Sequence, residues 1–207
     1  MTPQFIQPLC RFAAALCAGD EDSLREAVNL ALDQYIPVSM LREVVLTSYL
    51  FDGYPTALEG FRILSSISGL PKSAERDRYT PEDVSHWRER GERLCRMVYG
   101  PQFERLTEHI LEIAPELAEA MIIEGYGKVL SRPGLDVRLR ELCVVTILAC
   151  KGRERQLLSH ILGSLRLGAS EENIATALNA AESLCPVKRI ARARKVLKDA
   201  IQRHNMS

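Results

Sequence analysis

No two of the six cysteines stand three residues apart; they occupy positions 10, 17, 95, 143, 150 and 185. That spacing excludes a C-x-x-C redox centre and the paired-cysteine half of a zinc site. The four histidines, at 86, 109, 160 and 204, show no ligand spacing either, so no metal site is expected. Charge of one sign is not in surplus: 27 basic residues face 27 acidic ones. A nucleic-acid binder normally carries a basic excess, so that partner class is excluded from the expectations. No apolar run is long enough to cross a membrane. The opening stretch, MTPQFIQPLCRFAAALCAGDEDS, lacks the basic residues that precede the apolar run of a secretion leader. A cytoplasmic protein is therefore expected, with its cysteines as reduced thiols and with Cys95 and Cys185 unpaired.

Alternating apolar–polar runs and hairpin turn signals are also scarce, which argues against a β fold. What is present is helical periodicity, in a chain that is 46% apolar and long enough to bury a core. The spacing predicts helices over 4–18, 20–34, 38–52, 55–67, 81–97, 101–111, 113–130, 136–151, 153–167, 171–184 and 187–203. Thr80-Pro81-Glu82-Asp83 offers a cap, a proline at the first helical position and early acids. Ser170-Glu171-Glu172 repeats the device without proline, and Gly19, Gly152 and Gly168 mark helix ends. Gly69 and Pro71 make 65–78 the candidate linker.

One element occurs twice. Shifted by 133, Leu9 matches Leu142, Cys10 Cys143, Cys17 Cys150, Gly19 Gly152, Glu21 Glu154, Leu24 Leu157, Leu32 Leu165 and Leu64 Leu197. Pro37 likewise matches the capping Ser170. Two copies of four helices each would bury their apolar faces against one another about a pseudo-twofold axis. The expected organisation is a first repeat over 1–68, a linker and connecting helix over 69–100, and a second repeat over 101–207, all in one compact domain.

The second copy is chemically richer. Residues 153, 156 or 157, and 160 share one helix face, so Arg153 and His160 can point the same way. Glu141 lies 11 residues before Gly152 and His160 lies 8 after it. At ~1.5 Å per residue, a helical hairpin turning at Gly152 brings the two to about the same level. A carboxylate there would fix the imidazole's tautomer, and Arg153 could grip a substrate carboxylate. Plainer readings stay open: His160 as a packing residue, Glu141 paired with Arg138 or Arg140, Arg153 as a polar first-turn residue. Cysteines seven apart on a helix read as small apolar groups. The basic run KRIARARKVLKDAIQR, from Lys188, reads as a solvated helix face.

The stretch YGKVLSRPGLDVRLREL, from Tyr126, followed by ACKGRERQLLSHILGSLRLGASEENI, from Ala149, resembles the carboxymuconolactone decarboxylase family. LREVVLTSYLFDGYPTALEGFRIL, from Leu41, is similar to the helix pair that follows the histidine in that family, with Tyr49, Gly53 and Pro55 in its Y-x-x-x-G-x-P signature. The resemblance implies an all-α, alkylhydroperoxidase-D-like bundle. The family's hydroperoxidases carry a thiol pair where this chain has Arg153 and Gln156, so a thiol peroxidase is the remoter alternative. The decarboxylase branch implies a lyase without cofactor, acting on a small carboxylated or lactone substrate. On that model His160 moves the proton, Glu141 orients it, Arg153 and Arg132 hold carboxylates, and Gln156, Tyr49 and Tyr54 line the site. A silent oligomeric helical module is the other alternative. Rings of short subunits in the family imply a homo-oligomer here, with a trimer as the closed form of a fused pair. Each copy has kept what the other lost: the first has Ala27 in place of His160, the second no Y-x-x-x-G-x-P.

Overall fold

The computed structural model describes residues 2–69 and 80–206. It is all-α, with no strand among the described residues. The chain divides into two compact units, Met1–Leu70 with Gly134–Ser207, and Pro71–Pro133. The expected second repeat is thus divided at Pro133, and its first 33 residues group with the preceding helix. Of the expected linker, Ser65–Ser68 belongs to a helix; residues 70–79 lie outside the described ones.

The first unit holds α1 (Ile6–Ala18), α2 (Glu21–Asp33), α3 (Val38–Ser68), α7 (Val137–Lys151), α8 (Glu154–Arg166), α9 (Glu171–Ala180) and α10 (Val187–Asn205). Local chemistry explains the boundaries. α1 and α7 end on Gly19 and Gly152, both left-handed, at φ 72° and 68°. The Asp20 carboxylate starts α2 by accepting from the Ser23 N–H at 2.9 Å, a bond that holds the Asp20 pKa below its ordinary value. Ser170 and Asn173 form a reciprocal capping box at the start of α9. α3 runs through 52–55 but breaks locally at Gly53, whose φ of 85° and ψ of 171° are open to glycine without strain.

These boundaries recur at the offset of 133. α2 shifted by 133 is α8, end to end. The start of α3 becomes the start of α9, and Tyr54, just after the break in α3, becomes Val187, the first residue of α10. Packing is reciprocal too. α1 lies against α7; α1 also packs on α2, α3 and α9, and α7 on α8, α9 and α3. Cys10 and Cys143, one shift apart, meet where α1 faces α7. Their hydrogen bond, with burial second, pushes the Cys143 pKa well up, so Cys143 keeps its proton; neither cysteine is in the disulfide.

α1 and α7 form the buried centre. From Leu139 to Cys150 every residue of α7 is buried, Arg140 and Glu141 included. Arg140 is 1% exposed and reaches α3: Nη2 donates to Glu43 Oε2 at 2.9 Å and Nη1 to Thr47 Oγ1 at 3.0 Å. A buried guanidinium is tolerable only with such partners.

The cysteines depart from expectation. Cys150, at the end of α7, and Cys185, in the turn before α10, form a disulfide with Cα atoms 5.3 Å apart. The predicted helix over 171–184 ends at Ala180, and the turn that follows carries Cys185 back to α7. Cys95 is buried and lies outside the disulfide.

The second unit holds α4 (Pro81–Tyr99), α5 (Phe103–Ile113), α6 (Pro115–Ala120) and a π-helix over Met121–Leu130. The Thr80–Asp83 capping box opens α4 as its sequence predicts. The expected single helix over 113–130 is instead α6 running into the π-helix. A side chain at Gly91 would strike the Ile122 carbonyl, and one at Gly127 the Trp87 carbonyl, so α4 and the π-helix cross with backbones touching. Arg90 Nε donates to the Gly127 carbonyl at 2.7 Å across that crossing.

Candidate functional site

His160 and Glu141 meet. Nδ1 of His160 lies 2.8 Å from Oε2 of Glu141, with the residues 4% and 1% exposed. α7 carries the carboxylate, α8 the imidazole, and Gly152 makes the reversal between them. An ionised carboxylate only accepts hydrogen bonds, so when Glu141 carries its charge the Nδ1 facing it is the protonated nitrogen. Nε2 is then the ring nitrogen that carries the lone pair.

The alternative partners of Glu141 are engaged elsewhere. Arg138 bonds Asp136, with Nη2 3.1 Å from Oδ2, and Arg140 reaches Glu43. α3 supplies an aromatic wall that sequence reasoning did not name. The Phe51 ring stands edge-on to the imidazole, centroids 5.4 Å apart and planes at 86°. Phe51 is two residues before the Gly53 break, so the break orients its helix end; an aromatic beside that glycine was the available signal.

The other predicted site residues lie as follows. Arg153 is the N-cap of α8, exposed, with no side-chain capping bond. Gln156 is exposed one turn into α8. Tyr49 and Tyr54 stack on each other across the α3 break, ring centroids 5.2 Å apart, and Tyr54 is exposed. Arg132 belongs to the other unit, in the turn after the π-helix. Among the described residues no three His, Cys, Asp or Glu side chains gather as metal ligands. No helix among them is long and apolar enough to cross a membrane.

A second polar cluster lies at the far end of α7. The Cys17 thiol hydrogen-bonds the Asp52 carboxylate, and Asp52 Oδ1 lies 2.6 Å from Lys151 Nζ. Burial first, then the Asp52 charge, pushes the Cys17 pKa up to about 12, against a lowering by Lys151. Cys17 packs beside the Cys150–Cys185 bridge. Shifted by 133, Cys17 is Cys150 and Asp52 is Cys185. A thiol–carboxylate contact in one half thus stands where the other half has a disulfide.

A model of the carboxymuconolactone decarboxylase family matches residues 115–199. Over that segment the chain is similar to this family. The matched segment contains Glu141, Arg153, Gln156 and His160 and leaves out α1 to α3. The chain is also similar to Peroxisomal protein 2 of Schizosaccharomyces pombe, 27% identical over 142 residues. That alignment covers 68% of this chain and 66% of the relative, just under two thirds of the relative's length. Arg153 and His160 stand seven apart, and positions 153 and 156 carry no thiol.

Proposed function

We propose that Glu141 and His160 form the proton-transfer centre of a cofactor-free lyase acting on a small carboxylated or lactone substrate. The buried 2.8 Å contact between His160 Nδ1 and Glu141 Oε2 carries this reading. With Nδ1 held on the carboxylate, Nε2 takes a proton from solvent, and the imidazolium so formed gives that proton to the carbanionic carbon as carbon dioxide departs, returning to neutral imidazole. Arg153 is the proposed anion-holding group. It occupies an N-cap, where Ser, Thr, Asp or Asn would bond the first turn and where the helix dipole disfavours a cation. Its counterpart Asp20 makes that bond. A residue that breaks a local rule its counterpart obeys is a candidate for function. Gln156, Tyr49 and Tyr54 are proposed as further substrate contacts.

The test is carbon dioxide release from γ-lactone carboxylates by the purified chain. His160→Ala is expected to lower turnover by about 10²–10⁴-fold, and Glu141→Gln to lower kcat while leaving the substrate's KM little changed. Equal rates in wild type and His160→Ala would remove the reading.

A second reading, a silent helical module that assembles with itself, draws on the burial of His160 and its contact with Phe51. It predicts no turnover on any such substrate. Under either reading we propose a homo-oligomer, a trimer of the fused pair, measurable by light scattering. The proposed compartment is the cytoplasm; the relative's peroxisomal name supplies the rival, and imaging of a fluorescent fusion separates them.

A further inference from the structure

We infer that the first half holds a separate, non-catalytic pocket for a small organic carboxylate, with Arg11 as its anion partner. A cavity of about 280 Å³ is lined by Gln7, Pro8, Arg11, Ala27, Leu30 and Gln34. It is not the Glu141–His160 site but stands where that site's counterpart falls. Shifted by 133, Pro8 is Glu141 and Ala27 is His160. Two large polar side chains are replaced by small apolar ones on the same pair of packed helices, α1 and α2. Truncation of this kind leaves space when the surrounding helices keep their positions.

The lining suits an amphipathic anion. Pro8 and Ala27 are buried and offer an apolar floor; Gln7 and Gln34 are exposed and put amides at the rim. Arg11 supplies the charge. Nη1 donates to Ser183 Oγ at 3.2 Å and Nη2 to Glu26 Oε1 at 3.1 Å, while the buried Nε has no hydrogen-bond partner. Glu26 is the weaker holder: its side chain is 60% exposed against 21% for Arg11. An exposed ion pair contributes little, so Glu26 can turn to water when a ligand carboxylate takes both Nε and Nη2. The volume lies just below the ~300–1,000 Å³ usual for ligand pockets, which limits the guest to about one ring and its carboxylate.

Benzoate is the probe, and benzamide its neutral isostere. Titration of the full chain, followed by ligand-observed NMR, is expected to show saturable benzoate binding and at least tenfold weaker benzamide binding. Arg11→Gln removes the anion partner and Ala27→Leu fills the cavity; each is expected to weaken benzoate at least tenfold with the melting transition retained. His160→Ala is expected to leave benzoate affinity unchanged, which separates this pocket from the proposed catalytic one. No saturation at about 10 mM, equal affinity for benzamide, full binding by both pocket variants, or loss in His160→Ala would each overturn the inference. Should Ala27→Leu fail to fold, Arg11→Gln, at a partly exposed side chain, decides alone.

Discussion

At one offset α1 and α7 share their ends, α2 and α8 their whole lengths, and α3 and α9 their starts, while almost every polar side chain differs. Where the second half has Glu141 and His160, the first has Pro8 and Ala27. Where the second has the Cys150–Cys185 bridge, the first has a Cys17 thiol on Asp52. Where the first has a working N-cap in Asp20, the second has Arg153, which caps nothing. The shared features are glycine reversals, cap positions and buried aliphatic residues, which set a helical frame. The differing features are few and sit where two helices approach. The frame is thus separable from the chemistry it presents: one half forms its helices with Ala27 where the other has His160.

The largest stability effect should come from a position with no equal in the first half. Arg140→Leu leaves Glu43 buried without its cation and should cost about 3–5 kcal/mol in a urea titration. Its counterpart Gln7 is exposed, and Gln7→Leu should change stability by less than ~0.5 kcal/mol. Next comes the bridge: Cys150→Ser should cost about 2–4 kcal/mol under oxidising conditions, whereas Cys17→Ser removes no cross-link and should cost about 1 kcal/mol. Thiol reactivity sharpens the same contrast. With its pKa near 12 rather than the usual 9, Cys17 carries about a thousandfold less thiolate at pH 8. Iodoacetamide should label it slowly, and Asp52→Asn should speed the reaction by removing the adjacent charge. The native thiol keeps its proton while the unfolded one ionises, so this group's contribution to stability is intact below about pH 9 and is lost as pH rises toward about 12. The smallest difference lies at the caps. Asp20→Ala should cost about 1 kcal/mol, and Arg153→Ala less than ~0.5 kcal/mol while weakening substrate binding.

Much of the frame was legible before any coordinates. Pro37, Ser170, Gly19 and Gly152 carry their own conformational instructions, and the predicted helix starts follow them. The Glu141–His160 meeting was legible as well, because a reversal at Gly152 converts sequence distance into height along a helix. Its rivals were not separable by sequence: Arg138 and Arg140 are as close along the chain, and only the fold gives them Asp136 and Glu43. The bridge was hidden for the same reason. Its cysteines are 35 residues apart, and the turn that begins at 181, just before the second of them, reads as a helix continuing to 184. Phe51 was masked by the more conspicuous tyrosines of its segment. The π-helix depends on the backbone contacts of Gly91 and Gly127, which leave no periodic trace.

One substitution addresses the central claim, that the two halves present equivalent positions on one repeated frame. Asp52→Cys gives the first half the residue that its counterpart, Cys185, supplies to the second. Equivalence predicts that Cys17 bonds the introduced sulfur, so peptide mapping without reductant finds two intrachain bridges, and the protein melts no earlier than wild type. A chain in which both thiols stay open to alkylation under oxidising conditions, with the Cys150–Cys185 bridge intact, would contradict the repeated frame.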